Sequence, residues 1–147
     1  MSRIVWRPIL LHQLWLQTKV IEEFVIHSGG CHCGKVRFEI STARSIEVLD
    51  CNCSICRRTQ FLHLIVPDKD FNLLHGEDSL ANYRFGTRTA EHLFCRVCGV
   101  KSFYRPRSHP DCFSVNLRCI EDSHFAHISI SHFDGENWER ARADIDD

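Results

Sequence analysis

The pattern of apolar and polar positions predicts a chain built mostly from short β-strands. Residues 35–40 alternate polar and apolar side chains, which is typical of a strand with one buried face. Residues 61–66 form a nearly continuous apolar run closed by Pro67, which predicts a strand buried on both faces. Further strands are predicted at residues 20–26, 100–104 and 113–117, and a hairpin with a glycine-containing turn at 83–85 and 92–94.

The two ends of the chain predict helices. In residues 8–15 the leucines and Trp15 lie close to one helical face, with Pro8 in the first turn, which predicts an amphipathic helix. This helix could cover a sheet edge or, alternatively, dock on a membrane or a partner. Residues 136–143 predict a short terminal helix. The N-terminal segment lacks a signal-peptide cleavage site and a run of about 20 apolar residues. We therefore expect an intracellular protein, cytoplasmic or nuclear, with no membrane span.

Length and composition indicate one compact domain. The chain has 147 residues, 44% hydrophobic and 25% charged, and this balance excludes a disordered chain. Its formal net charge is -1, so we expect no overall attraction to nucleic acid or to an anionic membrane. Nine residues are cysteines, an odd number that leaves one thiol over in a fully paired disulfide framework. In a reducing compartment, such thiols are expected to bind metal or to catalyse.

Seven of the nine cysteines fall into three short clusters. These are Cys31-His32-Cys33-Gly34, Cys51-Asn52-Cys53-Ser54-Ile55-Cys56 and Cys95-Arg96-Val97-Cys98-Gly99. Pairs spaced by one or two residues bring two sulfurs to one point on a tight turn, and the glycines allow the backbone to turn sharply. Two such pairs complete the tetrahedral shell of a structural zinc ion. The repeated spacing therefore indicates zinc binding.

Seven thiolate ligands divide naturally into four and three. The first and third clusters, 62 residues apart (95 minus 33), can together hold one closed structural zinc ion. Its ligands would be Cys31, Cys33, Cys95 and Cys98. The remaining cluster supplies three ligands to a second zinc and leaves its fourth position open, as catalytic zinc sites do: Cys51, Cys53 and Cys56. Spacing also allows a second closed site completed by Cys112 or Cys119.

The charge of a three-thiolate zinc favours thiol chemistry over hydrolysis. A zinc ion with three thiolates carries one net negative charge, which makes it a poorer Lewis acid than a zinc held by three histidines. Such a site is suited to accepting a fourth thiolate, because coordination to the metal deprotonates a thiol. The cluster Cys51, Cys53 and Cys56 is therefore our candidate catalytic site.

Other interpretations of these residues stay open at the level of sequence. The cysteine pairs could form disulfides, although adjacent residues bridge poorly, or both zinc sites could be purely structural. Cys112 and Cys119 fit better as small buried apolar side chains, and His32 as a residue that is not a ligand. Several arginines either steer an anionic ligand or are simply solvated: Arg57, Arg58, Arg105, Arg107 and Arg118.

The three clusters resemble those of a known family. The motifs G-G-C-H-C-G at 29–34, D-C-N-C-S-I-C at 50–56 and F-C-R-V-C-G at 94–99 are similar to those of the glutathione-dependent formaldehyde-activating (GFA) family, with the closest resemblance to its metazoan branch, centromere protein V. The resemblance covers about residues 27–140. It divides the chain into an N-terminal extension at 1–26, a zinc domain at 27–140 and an acidic tail at 141–147.

The resemblance implies a fold, a cofactor and a reaction. The fold is mainly β, of the Mss4-like tent shape built around zinc. The family holds a structural zinc at the positions of Cys31, Cys33, Cys95 and Cys98, and a catalytic zinc at those of Cys51, Cys53 and Cys56. Its activity joins glutathione and formaldehyde in S-hydroxymethylglutathione, formally a carbon–sulfur lyase reaction. The alternative is a non-catalytic zinc module of the centromere protein V type that binds a protein partner, and direct nucleic-acid binding ranks behind both.

Overall fold

A computed structural model describes residues 23–122 and 124–144, and these contain ten short strands and two short helices. The strands are β1 (Phe24–Gly30), β2 (Arg37–Ala43), β3 (Ser45–Cys51), β4 (Leu62–Pro67), β5 (Phe71–His75), β6 (Leu80–Tyr83), β7 (His92–Cys95), β8 (Phe103–Tyr104), β9 (Cys112–Asn116) and β10 (His127–Phe133). The helices are α1 (Cys56–Thr59) and α2 (Trp138–Ala141). Single 3₁₀ turns lie at Asp68–Asp70, Glu77–Ser79, Leu117–Cys119, Gly135–Asn137 and Arg142–Asp144.

The strands form three sheets. One sheet has the order β1-β2-β5, a second has the order β10-β3-β4-β9-β8, and β6 pairs with β7 in a third. All pairs are antiparallel except β10 with β3, which run parallel. The mainly β fold with a short terminal helix, expected from the sequence, is confirmed.

The differences from the predicted elements have local causes. The sequence pattern missed β10 because its first four residues are all exposed, so that no alternation of buried and exposed residues marks an inner face. It also missed β3, in which the alternation of exposed and buried residues extends over only four positions, and β5, which has no fully buried residue. The predicted terminal helix is shorter, with α2 flanked by single 3₁₀ turns. The predicted amphipathic helix at 8–15 lies outside the described residues.

The core joins the sheets through aromatic and β-branched side chains. Phe38 of β2 is fully buried and its ring lies 5.5 Å from those of Phe71 and Phe103. Burying a side chain of this size stabilises the fold by roughly 1.5–3 kcal/mol. Cys31 and Cys95 belong to the same buried cluster, so one candidate metal site is part of the core. Among the described residues, no helix has the length and apolar character needed to cross a membrane.

Candidate metal centres

The first thiol cluster brings together four cysteines from two similar turns. The Sγ atoms of its members all lie within 4.8 Å of one another: Cys31, Cys33, Cys95 and Cys98. One turn follows β1, where the Gly34 N–H donates to the Cys31 carbonyl at 3.1 Å. The other follows β7, where the Gly99 N–H donates to the Cys95 carbonyl at 2.8 Å. Both glycines have φ near +77° (76° and 77°), a conformation that favours glycine over residues with a Cβ.

The donor chemistry of the first cluster fits a closed metal site. Cys31 and Cys95 are buried in the core, with 4% and 1% of their surface exposed. The Sγ of Cys33 lies 3.6 Å from those of Cys31 and Cys95. Four thiolates this close repel one another unless a cation balances them. Four sulfurs in one small volume match the requirements of a structural tetrahedral site.

The second thiol cluster lies where β3, α1 and β4 meet. Cys51 ends β3 and Cys56 begins α1, and their Sγ atoms lie within 4.8 Å of each other and of a ring nitrogen of His63 in β4. Cys53, the third predicted ligand, lies outside this group of three but lines the same cavity. Hydrogen bonds from Cys51 and Cys56 lower the pKa of Cys53, whereas those from Cys51 and Cys53 raise the pKa of Cys56. Thiolates this close repel one another, so the three can be ionised together only with a cation that balances their charge.

His63 is a residue of this site that the sequence analysis missed. Its Nε2 lies 3.2 Å from the Cys56 Sγ, and its Nδ1 lies 2.9 Å from the Ser114 hydroxyl and 3.4 Å from that of Tyr104. Burial and the nearby Lys101 charge lower the pKa of His63 to about 4, so the ring is neutral. A neutral ring held at one nitrogen is the usual state of a metal-binding histidine. The signal in the sequence was a single histidine inside an otherwise apolar strand.

Gly135 closes the second cluster on the side of the C-terminal segment. A Cβ at this position would overlap the Cys51 Sγ and come within 2.9 Å of the Cys53 Cβ. Asn52 fixes the same segment, because its side chain donates to Asp134 at 3.0 Å and accepts from the Glu136 N–H at 2.9 Å. The loop that carries the thiols is therefore packed directly against the segment between β10 and α2.

A cavity of about 370 Å³ opens over the second cluster. Its floor is formed by the thiols and by polar or aromatic side chains: Cys51, Cys53, Cys56, His63, His92 and Tyr104. Its other lining residues include Phe85, Pro106, Arg107, Phe133 at the end of β10 and Trp138 at the start of α2. The volume lies within the range of small-molecule sites. The second cluster is thus accessible to a ligand, and the first is not part of this cavity.

The candidate arginines do not gather at the site, with one exception. Four are held elsewhere: Arg57 by Glu136 at 2.8 Å, Arg58 by the Ser54 carbonyl, Arg105 by Asp68 at 2.7 Å and Arg118 by the Gln60 carbonyl at 3.2 Å. Arg107 lines the cavity, and its guanidinium carbon lies 3.7 Å from the centre of the Trp138 ring. It is therefore the arginine placed to bind an anionic ligand.

The remaining candidates lie outside both metal-ligand groups. Cys112 and Cys119 are half-buried, and neither belongs to the two groups found among the described residues. His32 is exposed and also belongs to neither group. The arrangement in which Cys112 or Cys119 completes the second site is therefore absent from the described part of the chain.

Known proteins are similar to this chain in sequence and in fold. A family model described as glutathione-dependent formaldehyde-activating enzyme matches residues 26–135. A protein from Halomonas elongata, provisionally named glutathione-dependent formaldehyde-activating enzyme, is 32% identical over 78 residues, which cover 48% of this chain and 50% of that protein. The chain thus spans about half the length of this curated relative. A crystal structure of a Rhodobacter sphaeroides protein has a TM-score of 0.61 at 31% identity, covering 71% of this chain and 99% of that one.

Proposed function

The chain belongs to the glutathione-dependent formaldehyde-activating enzyme family, and we propose that it is a zinc-dependent carbon–sulfur lyase that acts on a glutathione-type thiol adduct. The observation that carries this proposal is the cavity over Cys51, Cys53 and Cys56, which leaves the second thiol cluster open to a ligand. The reaction is that of an S-hydroxymethylglutathione synthase, in which a thiol adds to formaldehyde.

We infer two zinc ions per chain. The first thiol cluster would hold one for structure, and Cys51 and Cys56, joined by Cys53 of the same loop, would hold the other beside the cavity. Thiolate-rich donor sets of this kind favour zinc over harder cations such as magnesium or calcium. When bound, the second zinc would supply the positive charge that keeps nearby thiols, including that of the substrate, deprotonated at neutral pH.

The cavity residues support binding of a thiol with a carboxylate. In the forward reaction the thiolate sulfur attacks the carbonyl carbon, the C–S bond forms, and the C=O π electrons move to oxygen, which takes up a proton. Arg107 would bind a substrate carboxylate, because its guanidinium is stacked on Trp138 and faces the cavity. Phe85 and Phe133 would exclude water from the reacting atoms.

Exchange between glutathione, formaldehyde and their adduct tests the lyase function by NMR. We expect the zinc-loaded protein to accelerate exchange above the enzyme-free background and Cys53→Ser to abolish the acceleration. Cys112→Ser is the matched control, because this thiol, unlike Cys53, does not line the cavity and lies in neither metal-ligand group. Equal exchange rates for wild type and Cys53→Ser, with both variants folded, would contradict the proposal.

One observation favours a second candidate function, a non-catalytic zinc module of the centromere protein V type that binds a protein partner. His63 lies 3.2 Å from Cys56 and could complete a four-ligand site with the three thiols. X-ray absorption on the zinc-loaded chain, recorded with and without glutathione, would separate the two, because the first site contributes the same signal to both spectra. A spectrum unchanged by glutathione favours the module, whereas a sulfur added by glutathione favours the lyase.

A further inference from the structure

A buried lysine lies directly behind two residues that line the cavity, His92 and Tyr104. Lys101 is 8% exposed, and its Nζ lies 2.8 Å from the Nδ1 of His92. The Nζ also lies 3.8 Å from the centre of the Tyr104 ring and 4.9 Å from that of Phe61. None of the ion pairs among the described residues involves Lys101. Its closest polar partner in this part of the chain is therefore the His92 ring.

The contact between these two side chains determines where the imidazole proton sits. A lysine ammonium has three donors and no acceptor, so the His92 Nδ1 must accept the hydrogen bond. Burial and the Lys101 charge lower the pKa of His92 to about 4, and burial lowers the pKa of Lys101 to about 8. At neutral pH the ring is thus neutral and the lysine is mostly charged. A neutral ring whose Nδ1 accepts carries its proton on Nε2.

The protonated nitrogen is available to a ligand. The His92 ring lines the cavity and is stacked between Phe85 at 5.1 Å and Tyr104 at 5.0 Å, which fixes its plane. Nε2 forms no hydrogen bond within the described residues. The fully enclosed side-chain atoms that lack a partner in this part of the chain are His27 Nε2 and Ser102 Oγ, so His92 Nε2 keeps access to solvent through the cavity.

We propose that His92 is a catalytic hydrogen-bond donor to the substrate oxygen and that Lys101 is the positioning residue that supplies its proton. This inference rests on the proposed lyase function. As the thiolate sulfur bonds to the carbonyl carbon, the oxygen takes the Nε2 proton of His92 while Nδ1 takes a proton from the Lys101 ammonium. The thiolate and the ammonium together become a neutral adduct and a neutral amine, so charge and atoms balance. The reverse transfer accompanies cleavage of the adduct.

The position of the proton is tested by ¹⁵N NMR on zinc-loaded protein with labelled histidine, at pH 7. His92→Gln identifies the His92 signals. We expect a neutral ring protonated on Nε2 in the wild type, and a mixture of tautomers in Lys101→Met, which keeps the side-chain volume without the charge. Lys69→Met, at an exposed position, is the control and should leave the His92 signals unchanged. A wild-type ring protonated on Nδ1 or on both nitrogens overturns the inference, whatever the activity.

The donor role is tested by the kinetics of adduct exchange. His92→Phe should lower kcat about 100-fold with little change in KM, the size of effect seen when one oxyanion donor is removed. His92→Gln should recover part of the loss, because its amide offers an N–H to the substrate and an acceptor to Lys101. His75→Phe is the exposed control. Unchanged kcat in folded His92→Phe overturns the donor role alone, whereas an inactive wild type overturns the proposed function with it.

Discussion

The two thiol clusters contain the same ligand chemistry in opposite surroundings. The first cluster is held by two glycine turns, has Cys31 and Cys95 inside the core, and lies apart from the cavity. The second cluster combines the buried Cys56 with the half-buried Cys51 and Cys53, lines the cavity, and has a neutral histidine hydrogen-bonded beneath it. A metal in the first would lie apart from the cavity, whereas a metal in the second would lie at the cavity, within reach of a ligand.

The difference shows that the surroundings of the cysteines, more than their number, separate a structural site from a reactive one. The first cluster connects the end of β1 to the end of β7, and these two strands belong to different sheets. Its metal would therefore close a long loop. The second cluster is built from neighbouring elements of one sheet, so its metal adds little chain connectivity. We expect stability to depend on the first cluster and ligand binding on the second.

The largest effect should follow from removing a buried ligand of the first cluster. Cys95→Ser takes away one of four sulfurs in the core, and structural zinc contributes roughly 10–16 kcal/mol to the folding of small zinc peptides. We expect a loss of cooperative thermal unfolding, or a steep fall in Tm, measured by circular dichroism. Cys53→Ser should stay folded. If both variants unfold at the same temperature, the division of roles between the clusters is wrong.

The next largest effect should follow from removing the hydrogen bond between Ser114 and His63, beneath the second cluster. Ser114→Ala removes the 2.9 Å contact to His63 Nδ1 and leaves that nitrogen without its closest partner. Loss of such an outer contact typically lowers metal affinity 10- to 100-fold. Competition with a chelator should show this loss for one of two zinc ions, and the other should be unaffected. A uniform loss of both ions would argue against His63 as part of the second site alone.

A smaller effect is expected from Gly135→Ala. The added methyl would overlap Cys51 and press on Cys53, and overpacking of this kind typically costs about 1–3 kcal/mol. We expect faster release of the second zinc, with the first retained, in a stopped-flow chelation experiment. Release kinetics identical to those of the wild type would show that the segment between β10 and α2 moves away freely.

The smallest effect should come from the exposed carboxylate beside the second cluster. Hydrogen bonds from Asn52 and Asn137, together with Arg140, lower the pKa of Asp134 below its ordinary value. A lowered pKa in the folded state adds stability that is complete above the unfolded pKa and is lost as pH falls through the folded one. Asp134→Asn should therefore be slightly less stable than wild type at neutral pH, and this difference should vanish in acid. A Tm difference that grows toward low pH would contradict this assignment.

Much of the architecture was predicted from periodicity, and the four members of the first thiol cluster from spacing. The alternation at residues 35–40 corresponds to β2, and the apolar run at 61–66 to β4. Spacing grouped Cys31, Cys33, Cys95 and Cys98, which the structure brings within 4.8 Å. Local pattern could not reveal β10, because its first residues are exposed and its pairing with β3 is parallel and distant in sequence.

The residues of the site that the sequence did not predict are those placed by long-range contacts. His63 and Lys101 lie 38 positions apart (101 minus 63) in strands and loops, and neither belongs to a cysteine motif. Their roles depend on the side chains around them. His63 contacts Cys56 and Ser114, and Lys101 contacts His92 and Tyr104. Likewise, Arg107 is distinguished from four other arginines only by the partners that the fold gives each of them.

Cadmium-113 NMR of the cadmium-substituted chain, with and without glutathione, tests the difference between the clusters most directly, because each metal site gives its own resonance. We predict two resonances, of which glutathione moves one and leaves the other in place. The resonance that moves should be lost in Cys53→Ser, and the other should remain. A single resonance, or two resonances that glutathione leaves unmoved, would contradict the assignment of one closed site and one open site.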